Sequence, residues 1–184
     1  MTSGDRKFKE LILYLARKSE GDVHFGATKL NKQLFYADFI AYRQLGSSIS
    51  GQRYQKLPYG PAPRGLKPVV SEMLEEGCCA EAARSHHGYE QRRLLALREP
   101  DVSVFDAREL ELIHQVVEEL KDRSAREVSD LSHEFIGWQL ADEKEDIPYE
   151  AALISFPEPL SEAEIQYGLE LAAERDEQPK VHSA

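Results

Sequence analysis

The chain has 184 residues, 41% hydrophobic and 30% charged, a globular composition that argues against wholesale disorder and is long enough to bury a core without metals or disulfides. No apolar run approaches the roughly 20 residues needed to cross a bilayer, and the cysteines, Cys78 and Cys79, are adjacent and cannot staple a secreted fold. The net charge of −10 is uneven, with 16 Lys and Arg against 11 Asp and Glu in residues 1–100 and 7 against 22 in residues 101–184, which argues against phosphate-driven nucleic-acid binding by the whole chain and leaves open a local basic face near the N-terminus.

Phe8, Leu11, Ile12 and Leu15 recur at helical spacing, so an amphipathic helix is expected from about Asp5 to Ser19, with Gly21 ending it. Charges mixed into this N-terminal stretch remove the apolar centre of a signal peptide, and a cytoplasmic setting follows. Thr28 is placed as the cap of a second helix, in which Leu30, Leu34, Ala37, Ala41 and Leu45 form one stripe and Phe35, Phe39 and Tyr42 another. Two stripes imply a central helix. Gly46 is its stop, Gln52 to Leu57 reads as a short strand, and Pro58-Tyr59-Gly60-Pro61-Ala62-Pro63 as a stiff loop.

A third helix is expected from near Gly65 to Glu76, because Pro68 is tolerated only in a first turn. Cys78 to Ala83 and Tyr89 to Leu97 flank the polar tip Ser85-His86-His87-Gly88, a hairpin pattern. Three capping boxes follow: Asp106 with Glu109, Ser124 with Glu127, and Ser161 with Glu164, the first and last with the staples Phe105–Leu110 and Leu160–Ile165. Gly137 to Pro159 reads as irregular and Asp176 to Ala184 as a solvated tail, and no solenoid repeat is present. The expected fold is α+β, a mainly helical single domain with a small antiparallel β-sheet or hairpin, residues 1–160 forming the domain and 161–184 a C-terminal helix and tail.

The blocks Lys29-Leu30-Asn31-Lys32-Gln33-Leu34-Phe35-Tyr36-Ala37-Asp38, Gly51 through Tyr54 and Leu57-Pro58-Tyr59-Gly60-Pro61, followed by Leu131-Ser132-His133-Glu134 with Trp138 and Ile147-Pro148-Tyr149, resemble the Panacea domain family of SocA-like antitoxins. Asn31 to Leu34 and Phe35 depart from the family pattern in ways conservative for packing. The resemblance spans roughly residues 5–155 and implies an antitoxin of bacterial or prophage origin. Such a protein binds and neutralises a cognate toxin encoded beside it, or delivers that toxin to a protease as the family's eponymous member does. It implies no catalysis, no cofactor and no membrane. A protease or chaperone is a further partner class, and the toxin itself does not carry over because members exchange partners.

Several side chains invite chemistry. Tyr36 and Asp38 either face a groove or complete the core, with Asp38 bonding the Tyr59-Gly60-Pro61 loop in the second case. The loop is the better contact candidate, since prolines and a glycine preset its backbone. His133 lacks the compact partners of a base or metal ligand, and helix capping or core hydrogen bonding is its plainer role. His86 and His87 beside Cys78 and Cys79 suggest zinc, but neighbours on a strand point to opposite faces. Trp138 either anchors a partner or plugs the core, and the run Asp142-Glu143-Lys144-Glu145-Asp146 is either a solvated face or a mimic of RNA charge. The partner-binding candidates are therefore Tyr36, Asp38, Tyr59, Gly60, Pro61, His133 and Trp138. A winged-helix-like DNA-binding regulator, using Arg92, Arg93 and Arg98 on the hairpin, is the alternative, and a hydrolase built on His133 and Asp38 the weakest rival because no reaction motif accompanies it.

Overall fold

The two apolar stripes of the second helix make it the hub. In the computed structural model, which describes residues 3–86 and 89–155, this helix, α2 (Ala27–Leu45), buries Leu34, Phe35, Ala37, Phe39 and Ala41 completely. Helix α1 (Ser3–Lys18) packs beside it through Phe8, Leu11, Ile12 and Leu15. Thr28 is not the cap: the helix begins two residues earlier than that cap implies, with Gly26 at the N-cap position and no side-chain cap bond. Packing overrides the local signal here, since a Cβ on Gly26 would lie 2.9 Å from the Gln91 side chain. At the other end Gly46 adopts φ 82° and its N–H reaches Tyr42 O at 3.0 Å, as a left-handed stop requires.

The strand expected over Gln52–Leu57 is only β1 (Tyr54–Gln55), the centre of an antiparallel three-stranded sheet with β2 (Ala62–Pro63) on one side and β5 (Asp146–Ile147) on the other. Tyr54 faces both Pro63 and Ile147 in register. Helix α3 (Leu66–Glu75) carries Pro68 in its first turn, where the absent N–H is harmless. The hairpin forms as β3 (Cys79–His86) and β4 (Tyr89–Ala96), paired from Cys79 with Ala96 to His86 with Tyr89. It packs against α1 and α3. Arg93 on this ribbon is buried, donating to Ser19, Asp22 and Glu20 carbonyls, and Arg98 pairs with Glu10. Two of the three arginines behind the basic-wing reading are thus spent within the protein.

Both capping boxes within the described residues form, Asp106 with Glu109 on α4 (Ala107–Leu120) and Ser124 with Glu127 on α5 (Ala125–His133). The third box, its Leu160 staple and the tail lie outside the described residues, as do His87 and Gly88. The segment read as irregular after Gly137 is more regular than expected: α6 (Ile136–Leu140), β5, a 3-10 turn at Tyr149–Ala151 and α7 (Ala152–Ser155) follow one another. Each is too brief to show a period, and the 3-10 turn and α7 hold the segment in place by packing on α2. The protein is therefore α+β and mainly helical with a small antiparallel sheet. No described helix is long and apolar enough to cross a membrane.

Candidate functional site

The stiff loop between β1 and β2 is fastened by three side chains from three different helices. Trp138 Nε1 on α6 donates to Leu57 O at 3.0 Å, Ser129 Oγ on α5 donates to Tyr59 O at 2.9 Å, and Lys32 Nζ on α2 donates to Pro61 O at 2.9 Å. Alternate carbonyls are therefore satisfied from inside, while the Tyr59 ring projects outward, 74% exposed. The turn closes through Gly60 N–H to Leu57 O at 2.9 Å, and Gly60 sits at φ 97°, a conformation open to glycine. A Cβ there would fall on Ser132 Oγ and lie 2.5 Å from Lys32 Nζ.

Tyr59 and Thr28 form a shared wall between two depressions. One, about 390 Å³, is lined by Lys32, Leu57, Leu66 and Lys67 among others, and the second, about 500 Å³, by Pro58, Ser129, Asp130 and His133. His133 stacks on Trp138 at 4.0 Å and 16°. Lys56 Nζ lies 4.5 Å over the Trp138 ring and donates to Ala141 O at 2.9 Å. Trp138 is thus a fastener under the loop. His133 Nε2 is buried with no hydrogen-bond partner among the described residues.

Tyr59, Gly60, Pro61, His133 and Trp138 consequently meet in one place, whereas Tyr36 and Asp38 do not join them. Tyr36 lines a separate depression of about 230 Å³ with Ile40, Leu112 and Leu131, and burial raises its phenol well above the ordinary range. Asp38 is 0% exposed. Its carboxylate accepts from Ser50 N at 2.7 Å, from Ser50 Oγ and from Tyr54 Oη at 2.7 Å. The expected bond from Asp38 to the Tyr59-Gly60-Pro61 loop is absent: Lys32 makes that link, because Asp38 lies about one and two-thirds turns further along α2, where it meets Ser50 and Tyr54. Desolvation raises the Asp38 carboxyl above the usual carboxylate range, and the Ser50 and Tyr54 bonds oppose that rise.

Around Asp38 the aromatic side chains Phe35, Phe39, Tyr54, Phe135 and Tyr149 interlock, with Phe39 and Phe135 centroids 5.1 Å apart at 83°. Blocks distant in sequence, at 29–38, 51–61, 131–138 and 147–149, thereby converge on one helix. In the acidic run 142–146, residues 142 to 145 are exposed, as a solvated face would be, and Asp146 alone is partly covered. Asp146 pairs with Arg53 and Arg64, and the Glu145 carboxylate accepts from Asp142 N at 2.6 Å. Among the described residues no group of three or more His, Cys, Asp or Glu is placed to hold a metal ion. Cys79 is buried, and burial pushes its thiol up to about 11.

Lys32 is the residue that sequence reading passed over. Only 2% exposed, it lies three and seven residues before Phe35 and Phe39 and so shares their stripe, a signal that was legible. Burial lowers its amine from 10.5 to about 7. Between those values the unfolded chain holds a proton that the native state lacks, so the folded state gains stability as pH rises through this window. Comparison with Lys32→Met by urea unfolding is expected to show the difference moving in favour of the wild type by roughly 1 kcal/mol per pH unit above 7, and flat below it. A flat difference throughout would mean Lys32 is solvated.

What these observations define is a mainly helical α+β domain whose inward polar side chains hold a preordered surface loop. The chain belongs to the SocA-like antitoxin family: the model for Antitoxin SocA-like, Panacea domain, matches residues 30–139. No curated protein and no solved structure matches it.

Proposed function

We propose that this chain is a cytoplasmic antitoxin that neutralises a cognate bacterial toxin by direct binding, through a surface centred on Tyr59 and its two flanking depressions. The family supports an antitoxin role, and one observation carries the surface: a 74% exposed aromatic ring stands on a loop whose alternate carbonyls are fastened from below. A loop already ordered loses little entropy on docking, and exposed tyrosines beside pockets are the usual anchors of protein interfaces. Nothing in this surface requires turnover.

The test begins with the gene adjacent to this one. Its expression should arrest bacterial growth, co-expression of this chain should restore it, and the two proteins should purify together. Tyr59→Ala should weaken the complex on the order of 100-fold while changing folding stability by less than about 0.5 kcal/mol, because the ring is mostly in water. Rescue by the wild type with undiminished binding by Tyr59→Ala would move the interface elsewhere. Absence of both rescue and complex would end the antitoxin reading.

A further inference from the structure

Four cationic side chains are buried among the described residues, and three have compensating partners. Lys29 meets Asp22 at 2.5 Å, Lys9 meets Glu76 at 2.7 Å and Glu72 at 2.9 Å, and Arg93 donates to three carbonyls. Lys32 is different. Its amine makes one hydrogen bond, to Pro61 O, and no carboxylate pairs with it among the described residues. An ammonium has three protons to donate and is costly to bury without an opposite charge.

Lys32 lines the 390 Å³ depression beside Tyr59, and no Asp or Glu contributes to that lining. The rim adds Arg64, Lys67 and Lys144. Arg64 is engaged with Asp146, while Lys67 and Lys144 have no ion pair among the described residues. Leu57, Ala62, Pro63 and Leu66 supply apolar walls. A cationic base, apolar sides and a cationic rim match a carboxylate carried on a short aliphatic stem better than a fully hydrated phosphate.

We propose that this depression is a receptor for a Glu or Asp side chain from an acidic segment of the partner protein, with Lys32 as the buried anion-binding group and Lys67 and Lys144 as its outer cations. The inference rests on the antitoxin reading for the identity of the partner. Binding would give Lys32 the counter-charge that the fold withholds. It would also favour the protonated amine, so affinity should fall above neutral pH.

The full chain and Lys32→Met would be titrated, by fluorescence anisotropy, with a fluorescein-labelled eight-residue peptide alternating Ala and Glu, with its Ala-and-Lys counterpart, and with inorganic phosphate as competitor. Met keeps the stem length without the charge, and urea unfolding of the variant checks its fold. The wild type should prefer the Glu peptide by at least about tenfold, and Lys32→Met should lose about tenfold or more of that affinity. Wild-type affinity should fall by up to about tenfold per pH unit above 7, from the pH at which free Lys32 loses its proton. Tyr59, Arg64, Lys67 and Lys144, which also face the depression, are common to both proteins, so a pH dependence missing only in Lys32→Met belongs to Lys32.

Equal binding by a folded Lys32→Met, no Glu-peptide binding up to about 1 mM, or equal displacement by phosphate would each overturn the proposal. Those outcomes leave wild-type growth rescue untouched. Failed rescue by the wild type, in contrast, would remove the antitoxin reading whatever the peptide does.

Discussion

Asp38→Ala is expected to destabilise the domain by about 4 kcal/mol, read as a fall in the urea midpoint. Three buried donors converge on this carboxylate: the Ser50 N–H, the Ser50 hydroxyl and the Tyr54 hydroxyl. Removing it strands all three and opens a cavity inside the aromatic cluster, and each orphaned buried donor costs about 1–3 kcal/mol. Asp38→Asn keeps acceptor capacity at one oxygen, so its loss should be about half as large. Tyr54→Phe and Asp38→Ala should be strongly non-additive, since they remove the same bond. A stability loss below about 1 kcal/mol for Asp38→Ala would mean that water reaches the network.

Gly60→Ala should cost about 3 kcal/mol, from two sources that a control separates. Gly60 has φ 97°, and an added Cβ would also run into Ser132 Oγ and lie 2.5 Å from Lys32 Nζ and 2.9 Å from Cε. Gly77 has φ 70° with nothing within 4 Å of a built Cβ, so Gly77→Ala carries the backbone strain alone, about 1 kcal/mol. The difference between the two variants measures the collision. Because the collision pushes on Lys32 and Ser132, Gly60→Ala should also disturb the loop that presents Tyr59 and weaken the proposed complex with a toxin under conditions where the variant remains folded. Equal costs at the two glycines would show that the loop relaxes freely.

The site was legible in the sequence only in part. The Leu57 to Pro61 loop and the His133 to Trp138 block were both visible as motifs, and the structure seats one on the other through Trp138, Ser129 and a His133–Trp138 stack. Lys32 stood inside one of those motifs unnoticed. Lysine on a helix is normally solvated, and only its place on the Phe35 and Phe39 stripe hinted at burial. Asp38 offered no such hint of its partners, because Ser50 and Tyr54 reach it from a loop and a two-residue strand.

The sequence by itself determined the features whose partners lie within one or two turns: the capping boxes at Asp106 and Ser124, the left-handed stop at Gly46, the double stripe that makes α2 central, and the placement of Pro68 in a first turn. These depend on neighbours at fixed small spacing, so the pattern and its energy are read together. Tertiary structure alone decided the rest. Gly26 displaced Thr28 at the start of α2 because β4 packs close, the 3-10 turn and α7 are regular because they pack on α2, and Lys32 is a buried amine without a counter-charge because no acidic side chain lines its cavity. Those outcomes depend on residues 29 or more positions apart meeting in space, as in Lys32 with Pro61 and Leu57 with Trp138. Their energy comes from burial and from satisfying backbone carbonyls, which no local spacing encodes.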